Sequence, residues 1–480
     1  MFYALETYRE KGKKTQGFFL FFAFAFLSYL GILYWIPNVM VRYGGMNRTL
    51  SILGLIMLAA FLSLFHGIAG IFIHKARPIT GAILPIFIIP LIWISKDLVI
   101  ENVFGGFPWC LAGYSQYTNI FLVQIAEIGG IHLVSFVLIY FNILFYRFVR
   151  QKDKKTAAVI FISLLSIYTV GYFLYRVDES NVRPLETHRA GIIQPNTDND
   201  PISWLEKEKI LDRLIKESEE LAQKGAAFIV WPEHTLSIYP MQNKKHYRRL
   251  MDFADSNVPL VAGFTDLKEY NRIYNSAFVF GKGKSKKYNK VHLTPFGEYI
   301  LFRKLLFFVK RITDEIGDFT PGTVVHNLEI DRHFISTPIC YEIIFPGLVR
   351  DFVSAGGELI VTISNDSWFG NTSAPYQHLS MAVFRAIENR RYILRSTTNG
   401  ISAVILPSGK IGYRSSYHRA DRFIGEFKYI DRRTFFVCCG YLFPYFCLFL
   451  LLAYYILRKK ILMRDLPPKH EDTKDTPTPF

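Results

Sequence analysis

The sequence predicts a membrane α-helical bundle joined to an α/β layer domain, and two observations predict it. Half of the 480 residues are hydrophobic and only a fifth are charged, but the apolar excess is segregated. Residues 18 to about 176 and about 435 to 457 are apolar, whereas about 180 to 434 read as an ordinary mixed globular sequence. Within that polar stretch, buried apolar runs alternate with charged amphipathic ones, the pattern of strands and helices layered around a core.

The membrane elements come first. Gly17 to Ile36 offers about 20 mostly apolar residues, enough to cross a bilayer as a helix. It is too long and too aromatic for a signal segment, and no small-residue cleavage site follows. Further spans are predicted at about 49–73, 79–100, 119–148, 157–176 and 435–457, six in all. Basic residues cluster at Arg9, Lys11, Lys13 and Lys14, at His74, Lys75 and Arg77, at Arg150, Lys152, Lys154 and Lys155, and at Arg458, Lys459 and Lys460. The loop from Glu101 to Asn119 has no Lys or Arg. The positive-inside rule makes the basic ends cytoplasmic, so five crossings deliver the polar domain to the far side and the sixth returns the chain. The expected division is a bundle over 1–177, an extracytoplasmic domain over 178–434, a last helix over 435–457 and a partly disordered cytoplasmic tail over 458–480. Much of the basic excess behind the net charge of +16 flanks the apolar segments, which points to anionic lipid headgroups; no nucleic-acid recognition motif is present.

In the polar domain, Arg189–Gln194 reads as a strand, Trp204–Lys224 as an amphipathic helix and Ala226–Trp231 as a buried strand. A helix near 244–255 and strands near 259–264, 274–281, 334–339 and 358–364 follow. Strands near 392–397, 401–406 and 423–428 lie close together, as in an antiparallel arrangement. Lys282, Lys284, Lys286 and Lys287 read as a solvated loop.

Three residues stand out chemically. Of the five cysteines, Cys110, Cys438, Cys439 and Cys447 belong to or border apolar segments, and Cys340 is alone in the polar domain. It has no partner there for a disulfide and no second cysteine for a metal site. A lone cysteine is most often a small buried hydrophobe, so its company matters. Glu233 follows the strand AAFIVW directly, where an ordinary glutamate would sit in a surface turn. Lys290 is embedded among aromatic and apolar residues, where a charge needs a partner.

A carboxylate, a lysine and a cysteine in this order resemble the nitrilase superfamily. The strings WPEH, YNKVHLTPFGEY and PICYEIIFP, with GFPWCLAGYSQ (106–116) and NDSWFGNTSAPYQHLSMAVFRAIENRRYILRSTTNG (365–400), resemble its membrane branch, the apolipoprotein N-acyltransferases, over nearly the whole chain. The resemblance implies a nitrilase-like α-β-β-α sandwich inserted before the last transmembrane helix. It implies Cys340 as nucleophile, Glu233 as general base and Lys290, with a backbone N–H near Cys340 or Tyr341, as oxyanion stabiliser. Glu298 would orient Lys290, Glu342 would complete the hydrogen-bond network, and Tyr341 and Trp204 would position substrate. No metal or other cofactor is implied. The implied partners are a phospholipid acyl donor and diacylated apolipoproteins, met at the periplasmic face of a bacterial inner membrane. The family typically has seven spans before this domain where five are legible here, and losing a pair preserves the parity. Thr398 stands where asparagine is common. Tyr299 to Val309 (YILFRKLLFFV) reads as either a membrane-dipping arm or an amphipathic core helix. Two other readings are a membrane-anchored amidase or nitrile hydrolase, and a non-catalytic lipid-binding or transport protein. The intact triad and an expected scarcity of charges within the spans oppose the latter.

Overall fold

The protein is described from a computed structural model. It describes residues 15–42, 45–76, 84–180, 186–197, 203–236, 238–268, 272–299 and 319–464, besides 3, 4 and 6. The N-terminal region is helical: α1 (Gln16–Ile32), α2 (Ile36–Arg42), α3 (Arg48–Lys75), α4 (Pro85–Asn102), α5 (Ala126–Gln151) and α6 (Lys154–Ser180). Among the described residues four helices are long and apolar enough to cross a membrane, within Arg48–Lys75, Leu122–Gln151, Lys154–Arg176 and Leu442–Lys459. The pair α1 and α2, bent by 51°, makes a fifth if counted as one span.

The predicted span at 79–100 is the exception. Its described part, α4, carries Lys96, Asp97 and Glu101, all buried, so charges within the bundle are less scarce than expected. Lys96 pairs with Asp97, and its Nζ lies 3.0 Å from Nε2 of His66 on α3. The charges point into the bundle, where partners offset the cost of removing them from water.

The polar domain begins with β1 (His188–Gln194), α7 (Trp204–Gln223), β2 (Phe228–Val230), α8 (Lys244–Ser256), β3 (Leu260–Lys268), β4 (Arg272–Gly281) and β5 (Lys284–Asn289). It continues with β6 (Leu328–Ile330), β7 (His333–Ser336), α9 (Pro346–Ser354), β8 (Leu359–Ser364), α10 (Ala374–Asn389), β9 (Ile393–Thr397), β10 (Ala403–Ile405), β11 (Ile411–Arg414) and β12 (Asp421–Phe427). Helices α11 (Phe435–Cys439) and α12 (Leu442–Arg464) then lead back to the bundle.

Two six-stranded sheets result, in the orders β12-β1-β2-β3-β4-β5 and β11-β10-β9-β8-β7-β6. In each, three strands pair in parallel (β1, β2, β3 and β7, β8, β9) and the others are antiparallel. The sheets face each other across a core that includes Val230, Val261, Ile335, Ile363 and Leu394. On one outer face α7 and α8 bury Leu211, Leu214, Leu250 and Phe253. On the other, α9 and α10 bury Val349, Leu379 and Val383 in a cluster that runs on into the bundle through Trp109, Ile131 and Val134. The architecture is an α-β-β-α sandwich. Local signals agree with it: Ser203 and Glu206 form a capping box at the start of α7, whose buried Leu211, Leu214 and Leu221 fall at helical spacing.

The lysine-rich stretch is a correction. Lys284–Asn289 is not a loop but β5, the edge strand paired antiparallel with β4. Lys286 pairs with Glu329 and Lys287 with Asp266, while Tyr288 turns inward and is fully buried. Lysines on an edge strand discourage further pairing, and their density masks the alternation that marks a strand. The stretch continues directly into Lys290.

Domain and bundle meet in a buried polar seam. Helix α5 breaks at Gly129 and Gly130, and the backbone N–H of Ile131, just past the break, donates to Glu388 Oε1 at 2.8 Å. Arg385 pairs with Glu388 at 2.7 Å and donates to the Ile344 carbonyl at 3.1 Å. Arg390 donates through Nε to Glu127 Oε2 at 2.8 Å and through Nη1 to Gln124 Oε1 at 2.7 Å, and Arg432 pairs with the other oxygen of Glu127. Gln377 on α10 accepts from both indoles of Trp35 and Trp109, at 3.2 and 2.8 Å.

Candidate active site

The site gathers at strand ends on the inter-sheet side. Glu233 lies three residues after β2, Lys290 immediately after β5, and Cys340 four residues after β7. Cys340 opens a short 3-10 turn, Cys340–Ile344, with φ +49°. That left-handed conformation costs a side-chain-bearing residue about 1–2 kcal/mol and sets the thiol on a sharp elbow.

Lys290 is 1% exposed and sits between two carboxylates. Its Nζ lies 2.8 Å from Glu298 Oε2 and 3.7 Å from Glu233 Oε1, and it donates to Thr294 Oγ1 at 3.4 Å. Burial alone would lower its pKa, but the charges of Glu298 and Glu233 outweigh burial and hold the ammonium above the ordinary lysine range. Glu298 also accepts from the Thr294 N–H at 2.7 Å. Burial favours its neutral form, yet Lys290 and these donors keep it below the usual carboxylate range.

Asn275 on β4, which the sequence reading passed over, ties the carboxylates together. Its Nδ2 donates to Glu233 Oε1 and to Glu298 Oε1, both at 2.6 Å. The other oxygen of Glu233 accepts the Asn365 N–H at 2.8 Å, across the sandwich at the end of β8. Both hydrogen-bond partners of Glu233 are donors, and Lys290 is its ion-pair partner. Gly263 on β3 makes room for it, since a Cβ there would stand 2.7 Å from Glu233 Cα. The signal available for Asn275 was a lone polar residue at an inward position of an apolar strand. Thr398 supports the same corner by donating to Asn365 Oδ1 at 2.7 Å.

Burial, and then the charge of Glu233, raise the Cys340 thiol above its ordinary pKa, with Lys290 opposing. At rest Cys340 is therefore a thiol within the field of a carboxylate. Glu342, fully buried, accepts from the Tyr288 hydroxyl at 2.7 Å and from the N–H groups of Val291, His292 and Ile339 at 2.8, 3.0 and 2.8 Å. It stitches the strand carrying Lys290 to the turn carrying Cys340, while burial pushes its pKa up to about 7. The Tyr341 hydroxyl donates to the Gly106 carbonyl of the bundle loop at 3.3 Å.

Trp204 stands apart from this cluster. It begins α7, is 55% exposed and rests its ring on His246, centroids 5.1 Å apart. The stretch from Tyr299 to Val309 lies outside the described residues after its first one. Among the described residues no group of three or more His, Cys, Asp or Glu could hold a metal ion.

The α-β-β-α sandwich, with a thiol elbow, a carboxylate and a lysine at its strand ends, is a nitrilase-type fold, and residues 189–418 match the carbon-nitrogen hydrolase family model. Residues 1–144 match a second model, the apolipoprotein N-acyltransferase N-terminal domain. Curated relatives agree over both parts. The apolipoprotein N-acyltransferase of Geobacter metallireducens is 32% identical over 90% of this chain and 85% of its own length. Those of Vibrio parahaemolyticus and Aquifex aeolicus are 29% and 26% identical, over 89% and 82% of this chain and 86% and 87% of their own lengths. The chain belongs to the apolipoprotein N-acyltransferase family. Among solved structures, Saccharomyces cerevisiae Nit3, a nitrilase-superfamily member, is 19% identical with a TM-score of 0.42, covering 52% of this chain and 93% of that one.

Proposed function

We propose that the enzyme moves an acyl chain from the sn-1 position of a membrane phospholipid to the free α-amino group of the diacylglyceryl-cysteine that begins an apolipoprotein. The observation that carries this reading is the Cys340 elbow beside the Glu233–Lys290 pair, in a domain seated on an apolar helical bundle. Both substrates have lipid tails, so a site for them belongs at a membrane surface.

In the first half, Glu233 takes the thiol proton as Sγ attacks the ester carbonyl. Lys290 and the Tyr341 N–H meet the oxyanion that forms. Collapse breaks the ester C–O bond; the lysophospholipid leaves with the proton held by Glu233, and the acyl chain stays on Cys340 as a thioester. In the second half, the amine attacks the thioester carbonyl and loses a proton to Glu233. The C–S bond breaks, the amide departs, and the proton returns to Cys340. Glu298 and Asn275 hold the lysine and the base in register; Glu342 holds the turn. Trp204 and Tyr341 serve substrate positioning, Trp204 from the exposed rim.

The basic clusters flanking the spans support a periplasmic catalytic domain in a bacterial inner membrane. A reporter fused after about residue 430 should then read the periplasmic side, and a cytoplasmic signal contradicts that orientation. For the chemistry, purified protein is incubated with acyl-labelled phospholipid and a diacylated lipopeptide. Label is expected on the enzyme as a hydroxylamine-sensitive thioester and then on the peptide amine, with neither in Cys340→Ser. Release of label only as free fatty acid in the presence of peptide would make the enzyme a hydrolase and sink the proposal.

A further inference from the structure

Behind the Cys340 elbow lies a second buried polar cluster that the steps above do not use. His378 on α10, Asp366 after β8 and Arg395 on β9 are all fully buried. His378 Nε2 lies 3.2 Å from the Cys340 carbonyl oxygen. Its Nδ1 lies 3.1 Å from Arg395 Nη2 and 3.3 Å from Asp366 Oδ1. Arg395 Nη2 also donates to Asp366 Oδ2 at 2.8 Å, and Ser364 donates to Asp366 Oδ1 at 2.6 Å. Gly400 leaves the space this arrangement needs, since a Cβ there would stand 2.2 Å from Asp366 Oδ2.

The tautomer follows from the partners. A backbone carbonyl can only accept, so Nε2 is the donor towards Cys340. A guanidinium can only donate, so Nδ1 faces Arg395 with its lone pair; Asp366 Oδ1, 3.3 Å from Nδ1, accepts from the Ser364 hydroxyl instead. The ring proton is then on Nε2, which donates to the Cys340 carbonyl. Burial and the charge of Arg395 hold His378 below its ordinary pKa, in the neutral state this requires. That carbonyl shares a planar trans peptide with the Tyr341 N–H, which points the opposite way. A donor on the oxygen fixes the peptide plane and strengthens the N–H as a donor.

We propose that His378, held by Arg395 and Asp366, is a positioning residue for acyl transfer: it clamps the Cys340 carbonyl and so aims the Cys340–Tyr341 peptide at the tetrahedral intermediate. The proposal rests on the thioester reading of the site, and the two fail separately. A wild-type enzyme that forms no thioester overturns both; a thioester that forms normally without the clamp overturns this one alone.

The test compares full-length wild type, His378→Leu and His378→Gln, the last keeping a side-chain N–H donor. Thioester formation from labelled phospholipid is followed at varied lipid concentration, and alkylation of Cys340 by iodoacetamide, which develops no oxyanion, is followed across pH by peptide mapping. His378→Leu is expected to lower kcat about 10-fold to 100-fold with KM and the alkylation profile within about 2-fold, and His378→Gln to recover most of the loss. An unchanged kcat in His378→Leu overturns the proposal. So does a parallel fall of alkylation with kcat, which would mean general disorder of the site, or a His378→Gln as poor as His378→Leu. Should His378→Leu fail to fold, the ring ¹⁵N shifts of His378 in the wild-type protein decide: protonation at Nε2 supports the clamp and protonation at Nδ1 overturns it.

Discussion

Two buried ionic networks sit on either side of the Cys340 turn, and they are built from different cations. The site network centres on Lys290, whose ammonium stands 2.8 Å from Glu298 but 3.7 Å from Glu233. The seam network, between bundle and sandwich, centres on Arg385 and Arg390, each held through several nitrogens to carboxylate, amide and backbone oxygens. A guanidinium is a rigid fork that fixes geometry, whereas an ammonium is a compact charge on a flexible stem. The seam therefore holds two parts of the chain in one arrangement. The site keeps a charge with slack, the latitude that the proposed oxyanion role of Lys290 asks for.

The sharpest way to break this comparison is to exchange the cations. Lys290→Met is expected to slow thioester formation about 10²-fold to 10³-fold, the scale of losing an oxyanion donor. Lys290→Arg is expected to rescue little of it, because the planar fork suits the two carboxylates better than the intermediate. Near-normal transfer by Lys290→Arg would show that charge alone suffices. At the seam, Arg390→Leu leaves Glu127 buried beside Arg432 alone and is expected to cost about 3–5 kcal/mol of stability, read as thermal midpoint in detergent. Activity per folded molecule should stay within about 2-fold. A loss of activity without a loss of stability would make the seam part of the chemistry.

Acid acts on the site more gently. His292, its ring tilted against Phe345 with centroids 3.9 Å apart, has its pKa lowered by burial from 6.5 to about 4. Between those values the unfolded chain binds a proton that the folded one refuses, so this residue's contribution to stability is lost as pH falls from 6.5 towards 4. The loss reaches about 3 kcal/mol at 1.36 kcal/mol per pKa unit. Glu342 works in the opposite sense: its raised pKa makes stability fall as pH rises from 4.5 to about 7. Thermal midpoints of wild type and His292→Phe at pH 6.5 and 4.5 isolate the imidazole, and an equal acid slope in both would remove it from the account. The smallest expected effect is at Asn275. Its replacement by alanine takes one donor from each of two carboxylates and is expected to slow transfer about 10-fold, near 1.4 kcal/mol; a silent Asn275→Ala would leave Glu233 and Glu298 uncoupled.

What was legible in the sequence was local. The apolar spans, most strands of the sandwich and the isolation of Cys340 all follow from runs and periods within a few tens of residues. Asn275 showed only as a polar residue in an apolar strand, because its importance comes from β4 lying beside two loops distant in the chain. The lysines of β5 concealed a strand whose partner, β4, supplies the pattern they lack. The charges of α4 were read over for a related reason: an apolar average hides Lys96 and Asp97, and only packing shows His66 beside them. The clamp on Cys340 joins residues from α10, β9 and the end of β8, a juxtaposition that no spacing announces.

The left-handed backbone at Cys340 carries a consequence for any attempt to harden this enzyme. Asparagine and glycine tolerate φ +49° better than cysteine does, so either would relieve strain at the position proposed to carry the nucleophile. A variant library selected for heat tolerance alone is therefore expected to gather inactive proteins changed at position 340. Selection has to be run on acyl transfer to keep Cys340 in place.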